Sequence, residues 1–346
     1  MTESSMNHAA SQEPNPTLIF DTLNAYQRTG ALKAAIELKL FTAIGAGRTS
    51  ATALAASCGT SERGVRILCD YLTVIGLLSK SSDEYSLTST AAAFLDENSP
   101  RYMGSAARFV ASDGMMDTFR DVAGAVRRGG TLLPEGGSTK INYEPWIEFA
   151  ESMGPMMTPA ARFIANLVAE RYPSGPLRVL DVAASHGLFG LSIAQRLPKA
   201  EIVAQDFHAV LDVTKRNATA AGCVDRFEFL PGDVMTLDLP GTYDCVLLTN
   251  FLHHFSAQAC ESLLRKLQTR LNPNGVVISL EFIPNEDRIT PPTPAAFALT
   301  MLMSTDHGDA YTFADYQAMF KAAGFVRNEM IDVPRSPSRL IVSSLH

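Results

Sequence analysis

The chain has 346 residues, of which 46% are hydrophobic and 19% charged, and its net charge is −7 at pH 7. This length predicts two domains, because a single core rarely serves so many residues. The acidic balance argues against nucleic acid or an anionic membrane as the main partner. The sequence has no apolar run of about 18 residues or more, so we expect a cytoplasmic protein without membrane-spanning segments.

The first sixteen residues are polar, with neither a basic start nor an apolar run. They predict a disordered tail over residues 1–16 rather than a signal peptide. The five cysteines form no CxxC pair and have no metal-like spacing. Most lie in apolar runs, so we expect reduced thiols in the core.

Residues 17–105 are predicted to form a mostly helical domain with a winged-helix pattern. After a helix with apolar residues at helical spacing come a short helix, a turn at Gly59 and another helix. The stretch LLSKSSDEYSLT then predicts a hairpin that turns at residues 81–83. DNA binding is the alternative function of such a pattern. The candidate recognition helix, however, carries Glu62 and Asp70 beside its arginines, so a dimerisation or docking role is favoured.

Residues 106–346 are predicted to form the second domain, which begins with helices interrupted by the stretches RRGG and PEGG. The next segment, EPWIEFAESMGPMMTPAARFIANLV, carries Trp146 and three methionines. These side chains suit a core helix. A cluster of flexible apolar side chains also suits a pocket for a flat organic ligand, and both interpretations stay open.

Strands and helices alternate after the break YPSGP. The strand-like segments are RVLDVA, EIVAQDF, RFEFLPGD, YDCVLLTNFL and GVVISLEFI. Their continuous apolar runs, separated by helical stretches, predict a parallel sheet covered on both faces. Ser256 is predicted to cap one helix, and TFAD at residues 312–315 resembles the capping box of another. The last two strands follow directly on one another, which predicts an antiparallel hairpin at the sheet edge.

The ends of these strands carry acidic residues, and in an open α/β sheet the ligand lies beyond the carboxyl ends of the strands. Asp181, Asp206 and Asp233 stand at three successive strand ends. The set suits a ligand with an ammonium group, a ribose diol and an adenine amino group, all of which S-adenosylmethionine has. Asp233 is also explained as a turn residue after Gly232.

A nicotinamide cofactor is the alternative ligand. Ser185, Gly187 and Gly190 mimic the GxGxxG loop with its first glycine replaced, and Asp206 lies about 20 residues further on, where a ribose-binding carboxylate belongs. That motif alone is weak evidence. Asp181, moreover, occupies a strand end that a dinucleotide fold usually keeps apolar.

The sequence resembles a known family, the S-adenosylmethionine-dependent O-methyltransferases of the caffeate, hydroxyindole and polyketide-tailoring type. The similarity covers nearly the whole chain, from GALKAAIELKLF through YLTVIGLL, VLDVAASHG, GDVM and FLHHF to FKAAGF. It implies a winged-helix dimerisation domain that forms a homodimer, followed by an α/β domain with a seven-stranded Rossmann-like methyltransferase sheet. It also implies S-adenosylmethionine as the cofactor.

The cofactor loop of that family reads D-x-G-x-G-x-G, which maps onto Asp181, Ala183, Ser185 and Gly187. Only the last glycine is present, and a Cβ strains any position that needs a positive φ. By family position, Asp206 would hold the ribose hydroxyls. The cofactor-binding residues that the resemblance implies are Asp181, Ala183, Ser185, Gly187, Asp206, Phe207, Asp233, Val234, Met235 and Asn250, with Asp233 and Met235 at the adenine.

The stretch FLHHF places His253 on the family's catalytic histidine and His254 on an aspartate. Imidazole, with a pKa of about 6.5, can take the proton of a phenol while a methyl group is transferred. By the resemblance, Glu281 supports this base, and a second supporting acid falls on Ala310, next to Asp309. The predicted catalytic residues are therefore His253 and Glu281.

Two other interpretations of the histidines stay open. In one, His253 only bonds a backbone carbonyl at the strand end. In the other, a metal ion is shared with His254 and His307. Adjacent residues that leave a strand point to opposite faces, so we predict no metal site.

The predicted function is methyl transfer from S-adenosylmethionine to a hydroxyl of a small aromatic or polyketide-like molecule. The predicted substrate-binding residues are Trp146, Met153, Met157, His254, Phe297, Met301 and His307. Two alternatives remain: an N- or C-methyltransferase on the same fold, and a catalytically silent dimer that only binds the cofactor.

Overall fold

The computed structural model describes residues 14–173 and 175–346, so most of the predicted tail, residues 1–13, lies outside the described residues. The chain divides into two compact units, Met1–Gly104 and Ser105–His346; the sequence placed this boundary after residue 105. Among the helices of the described residues, none is long and apolar enough to cross a membrane.

The first unit has six helices and one two-stranded hairpin in its described residues. The elements in chain order are α1 Thr17–Leu23, α2 Ala25–Glu37, α3 Leu40–Gly45, α4 Ala51–Cys58, α5 Glu62–Val74, β1 Leu78–Ser81, β2 Glu84–Leu87 and α6 Ser89–Phe94. Ser50 and Ser61 cap α4 and α5 through their side chains. Gly59 ends α4 with φ +64°, a conformation that suits glycine. The predicted helix, turn, helix and hairpin are confirmed.

Asp70, one of the two acidic residues on the candidate recognition helix, has partners within the first unit. Asp70 on α5 pairs with Lys80 at 2.7 Å and with Arg66 at 2.8 Å. It also accepts the hydroxyl proton of the buried Tyr85 at 2.7 Å. Since Lys80 and Tyr85 lie on the two strands of the hairpin, Asp70 fastens the hairpin to α5.

The second unit consists of a sheet with helices on both faces. Its helices are α7 Ala107–Val110, α8 Asp113–Thr118, α9 Val122–Arg128, α10 Pro145–Ser152, α11 Gly154–Arg171, α12 Leu188–Arg196, α13 His208–Ala220, α14 Ala257–Gln268, α15 Pro292–Ser304 and α16 Phe313–Ala322. Its strands are β3 Leu177–Val182, β4 Ala200–Asp206, β5 Phe227–Pro231, β6 Tyr243–Thr249, β7 Leu271–Glu281, β8 Arg327–Asp332 and β9 Arg339–Ser344.

The seven strands pair in the order β5-β4-β3-β6-β7-β9-β8. β3 to β7 are parallel, whereas β9 runs antiparallel to β7 and β8 antiparallel to β9. The predicted seven-stranded α/β sheet and its antiparallel edge hairpin are confirmed. Because the chain order reverses beside β3, the carboxyl ends of β3, β4 and β6 border a crevice where α/β folds bind ligands.

Two apolar layers cover the sheet. One contains side chains of α11 and α12, and the other those of α14 and α16. Successive residues of one strand contribute to opposite layers: Val179 faces the first and Leu180 the second. Burial on both faces explains why these strands have continuous apolar runs. The caps predicted at Ser256 and at Thr312–Asp315 are confirmed.

Candidate active site

Asp181 lies at the end of β3 and is fully buried. Its Oδ2 accepts a hydrogen bond from the backbone N–H of Gly190 at 3.0 Å, whereas its Oδ1 has no partner in the part of the chain that the structure describes. Burial raises the pKa of Asp181 to about 7, and the nearby Asp206 carboxylate adds to this increase. A buried acid with an open oxygen is suited to a cationic or hydrogen-donating ligand.

The loop after β3 adopts left-handed backbone conformations, although Ala183 and Ser185 stand where the family has glycine. Ala183, Ser185 and Gly187 have φ values of 51°, 54° and 72°. A Cβ at Gly187 would lie 2.6 Å from a methyl group of Thr214, so glycine is required there. At the other two positions a Cβ costs on the order of 1–2 kcal/mol. The loop is held by a hydrogen bond from Thr214 Oγ1 to the Ser185 carbonyl at 2.6 Å.

Asp206 ends β4 and faces the same loop. Its Oδ2 accepts from the backbone N–H of Ser185 at 2.9 Å and its Oδ1 from that of Phe207 at 2.7 Å. Burial raises the pKa of Asp206 to about 6 against the opposing effect of these two bonds. The neighbouring Gln205, a polar residue inside a buried strand, donates to the Gly232 carbonyl at 2.6 Å. Sequence reasoning missed this residue, although its polarity in an apolar run was a signal.

The loop after β5 carries the third acid. Asp233 Oδ1 accepts from the backbone N–H of Met235 at 2.9 Å, while the side chain of Val234 is buried. Lys266, on α14, donates to the carbonyl oxygens of Val234 and Leu237. Asp233 thus stabilises its own turn, as the turn interpretation predicts. It also directly follows Gly232, whose carbonyl accepts from Gln205 and ties this loop to the end of β4.

Asn250 follows β6 and faces α11. Its Nδ2 lies 3.7 Å from the sulfur of Met157, and its Oδ1 is buried without a partner among the described residues. The Ser185 hydroxyl is likewise buried without a hydrogen-bond partner among the described residues. With Asp181, three buried polar groups at the ends of β3 and β6 have unused hydrogen-bonding capacity. They fit S-adenosylmethionine, whose ammonium group offsets buried carboxylates and whose hydroxyl and amino groups fill open acceptors.

We expect this cofactor to bind more tightly as the pH rises. A cation and ribose hydroxyls favour the ionised carboxylates, so binding lowers two pKa values that burial has raised to about 7 and about 6. The dissociation constant of S-adenosylmethionine should therefore fall about tenfold or more between about pH 5.5 and about pH 7.5. Calorimetry in buffers of different ionisation enthalpy would show the released proton. An affinity independent of pH would contradict the assignment.

His253 and Glu281 form a buried pair. Glu281 ends β7, its Oε2 contacts His253 Nδ1, and both side chains are almost completely buried. Glu281 Oε1 accepts from the backbone N–H groups of Phe251 and Leu252 at 3.1 and 2.8 Å. The His253 carbonyl accepts from the backbone N–H of Asp309 at 3.0 Å. The interpretation of His253 as a residue with only a backbone partner is therefore wrong.

The two histidines do not point to opposite faces, which corrects our expectation. β6 ends at Thr249, and residues 252–254 form a 3-10 turn, so strand alternation no longer applies. The ring centres of His253 and His254 are 4.4 Å apart, with their Nε2 atoms at 3.2 Å. His254 Nδ1 lies 3.2 Å from the hydroxyl of Ser138. Sequence reasoning missed Ser138, which lies 116 residues away from His254 and in no motif.

Aromatic rings surround this pair. Phe297 is T-shaped to His253 at 4.9 Å and stacks on Phe282 at 4.2 Å. Trp146 meets His254 edge-on at 5.2 Å and donates its indole N–H to the Ser138 carbonyl.

The other predicted site residues differ in their burial and in their contacts. Met153 and Met301 are buried, whereas His307 is exposed. The Asp309 carboxylate pairs with Arg288 at 3.0 Å, so only its backbone reaches His253. In the described ranges, no group of three or more metal-ligating side chains is found.

The chain matches two family models. The model of the O-methyltransferase domain matches residues 155–326, which include the strand-end acids, both histidines and Glu281. The model of the O-methyltransferase dimerisation domain matches residues 20–97, which include the winged-helix hairpin.

Known proteins resemble the chain over most of its length. A crystal structure from Nostoc punctiforme PCC 73102, of a protein assigned as an O-methyltransferase, is 48% identical with a TM-score of 0.92 and covers 95% of this chain and 99% of that one. The 3-hydroxy-5-methyl-1-naphthoate 3-O-methyltransferase of Streptomyces sahachiroi is 28% identical over 89% of each chain. A structure of PigF with SAH is 25% identical with a TM-score of 0.84, covering 96% and 99%. The chain therefore belongs to the O-methyltransferase family and is a methyltransferase with an N-terminal dimerisation domain.

Proposed function

We propose that this enzyme methylates a hydroxyl of a small aromatic or polyketide-like molecule, with His253 as the general base. The observation that carries the proposal is the buried pair of Glu281 and His253, which lies beside the acid-lined crevice. A carboxylate that orients a buried imidazole is a common arrangement for taking a proton.

A base is needed because a phenol with a pKa of about 10 is mostly protonated at neutral pH, and its neutral oxygen is a poor nucleophile. S-adenosylmethionine, the methyl donor, supplies a methyl group on a sulfonium sulfur. The acceptor oxygen has to approach that carbon in line with the sulfur. Removal of the hydroxyl proton as the bond forms is the task of His253, and such help contributes about 10²–10⁴-fold.

The crevice residues would hold the donor. Asp206 would accept hydrogen bonds from the ribose hydroxyls, and the open oxygen of Asp181 would compensate positive charge. The remaining proposed cofactor contacts are Ala183, Ser185, Gly187, Phe207, Asp233, Val234, Met235 and Asn250.

The surroundings of the histidines favour a flat and largely apolar acceptor. Rings of Trp146 and Phe297 meet the two imidazoles, and Met153, Met157 and Met301 are proposed to line the same region. The relative from Streptomyces sahachiroi is named for a naphthoate, and a relative from Streptomyces glaucescens, 25% identical, is named for tetracenomycin polyketide synthesis. Both names support an aromatic acceptor.

The enzyme is proposed to act as a homodimer that pairs through its first unit. α1 has no buried residue, and Leu18, Ile19, Phe20 and Leu23 are each more than half exposed. A contiguous apolar patch of this kind marks a protein–protein contact. The match to the dimerisation model supports the same assignment.

The function is tested with S-adenosylmethionine that carries an isotope-labelled methyl group. We expect label in the methyl ether when the protein is offered naphthols, catechols and hydroxyquinones. Matched aromatic amines that lack a hydroxyl should receive none. Label on nitrogen or ring carbon would replace the proposal with an N- or C-methyltransferase. Cofactor binding without transfer to any hydroxylated member of the panel would favour the silent dimer.

A further inference from the structure

Four buried or partly buried groups form one hydrogen-bonded chain beside the ends of β6 and β7. Glu281 contacts His253 Nδ1, the Nε2 atoms of His253 and His254 are 3.2 Å apart, and His254 Nδ1 lies 3.2 Å from Ser138 Oγ. All four ring nitrogens of the two histidines are therefore engaged. The outer end of this chain is a hydroxyl group on the segment that precedes α10.

The direction of each hydrogen bond follows from Glu281. A carboxylate only accepts, and its other oxygen already accepts two backbone N–H groups. His253 Nδ1 therefore carries a hydrogen. In the neutral ring that a general base requires, His253 Nε2 then carries a lone pair. His254 Nε2 must then donate, since two lone pairs form no hydrogen bond. In a neutral His254 the other nitrogen, Nδ1, is an acceptor and receives the hydroxyl proton of Ser138.

The surroundings keep His254 neutral and in place. Burial lowers the pKa of His254 well below its usual range, and the adjacent His253 lowers it further. Trp146 meets the His254 ring edge-on. Ser138 is only 7% exposed, and its backbone N–H donates to the Ser304 carbonyl at 2.8 Å. Turning the His254 ring would break hydrogen bonds at both of its nitrogens.

In this arrangement His253 Nε2, the atom that would take the proton in the proposed function, already accepts a hydrogen bond. The single lone pair of His253 Nε2 accepts from His254, so an acceptor hydroxyl has no direct access to it. At the outer end the situation differs. Ser138 Oγ donates to His254 and, within the described part of the chain, accepts no hydrogen bond. Its lone pairs thus have unused hydrogen-bonding capacity, which suits the hydroxyl of an acceptor as the donor.

We infer that Ser138 and His254 relay the proton of the acceptor to His253, an inference that rests on the proposed function. The acceptor hydroxyl gives its proton to Ser138 Oγ, Ser138 gives its own proton to His254 Nδ1, and His254 gives its Nε2 proton to His253 Nε2. Meanwhile the O–CH₃ bond forms and the S–CH₃ bond breaks. The proton comes to rest on His253, whose imidazolium pairs with the buried Glu281 carboxylate. After product release the same steps in reverse return it to solvent.

The first test reads the tautomer of each ring and needs no acceptor. Nitrogen-15 spectra of histidine-labelled, full-length protein with S-adenosylhomocysteine would be assigned with the variants His253→Gln and His254→Gln. We expect a neutral His254 with its hydrogen on Nε2, and a His253 with a hydrogen on Nδ1. A His254 that is charged, or protonated on Nδ1 instead, would overturn the relay.

The second test measures kcat for a hydroxylated acceptor from the labelled-methyl panel. His254→Phe should lower kcat about 100-fold and Ser138→Ala about tenfold, with little change in the KM of the cofactor. Ser138→Thr keeps a hydroxyl and should restore most of the loss. Thr139→Val is the matched control, because the Thr139 hydroxyl bonds the Gly136 carbonyl and neither histidine. Its kcat should not change.

An acidic acceptor separates proton transfer from structural damage. 4-Nitrophenol is largely ionised under mildly alkaline assay conditions and needs no base, so the losses caused by His254→Phe and Ser138→Ala should disappear with it. Losses that persist with this acceptor would overturn the relay. Full activity of His254→Phe together with an inactive His253→Ala would overturn only the relay, whereas full activity of His253→Ala would overturn the proposed function itself.

Discussion

Replacement of His253 by alanine is expected to lower kcat about 10²–10⁴-fold while the dissociation constant of S-adenosylmethionine stays the same. The variant removes the imidazole that Glu281 orients, so the proton of the acceptor loses the base that would receive it. The crevice acids Asp206 and Asp181 are bonded to the backbone of Ser185 and Gly190 rather than to this ring, so they remain in place. Stopped assays with labelled methyl groups give kcat, and calorimetry gives the dissociation constant.

The His253 variant needs two controls. His346→Ala makes the same change at an exposed histidine and should have the activity of the unchanged protein. Because the His253 ring is buried, alanine leaves a cavity and lowers the thermal midpoint; His253→Gln fills more of that space and should be equally inactive. Turnover within about threefold of the unchanged enzyme would remove His253 from the proton-transfer step.

Replacement of Asp206 by alanine is expected to weaken S-adenosylmethionine binding about 100-fold or more. Hydrogen bonds to a charged group contribute about 1.5–3 kcal/mol each, and this carboxylate is proposed to accept from the ribose hydroxyls. Asp206 also holds the backbone N–H groups of Ser185 and Phe207, so the loop that borders the crevice loses an anchor. Calorimetric titration with S-adenosylmethionine measures the loss.

The matched control for Asp206 lies six residues further on. Asp212 is an exposed acid on α13, and Asp212→Ala should leave the affinity unchanged. Asp206→Asn keeps the size of the side chain and removes its charge, so it should bind nearly as weakly as the alanine variant. Affinity of Asp206→Ala within about threefold of the unchanged protein would show that the crevice does not hold the ribose here.

Local pattern was sufficient to predict most of the fold. Apolar periodicity, the caps at Ser256 and at Thr312–Asp315, and the turn at Gly59 depend on a few neighbouring residues, so they can be predicted from the sequence alone. The buried sheet is visible for the same reason, since a strand covered on both faces must be apolar throughout. The strand-end acids interrupt those runs, which is why Asp181 and Asp206 could be recognised before the structure was known.

The directions of the side chains at the active site could not be predicted from local sequence pattern. The expectation that His253 and His254 diverge assumed that β6 continues to them, but a 3-10 turn begins at Leu252 and brings both rings together. The backbone of Ala183 and Ser185 is another case. Both residues hold positive φ values. Thr214 and Asp206 bond the backbone of Ser185, and Gln205 accepts from the backbone N–H of Ala183. The sequence around the loop does not encode those contacts.

The sequence by itself determined the two-domain order, the α/β class, the acids at the strand ends and the histidine pair, because each depends on residue type and spacing along the chain. Only the tertiary structure decided that Ser138 is bonded to His254 and that the two imidazoles contact each other, whereas the family resemblance already placed Glu281 beside His253. Ser138 and His254 lie 116 residues apart. Their contact depends on how α15, β6 and β7 pack around one point, and packing is a property of the whole domain and not of any stretch of sequence.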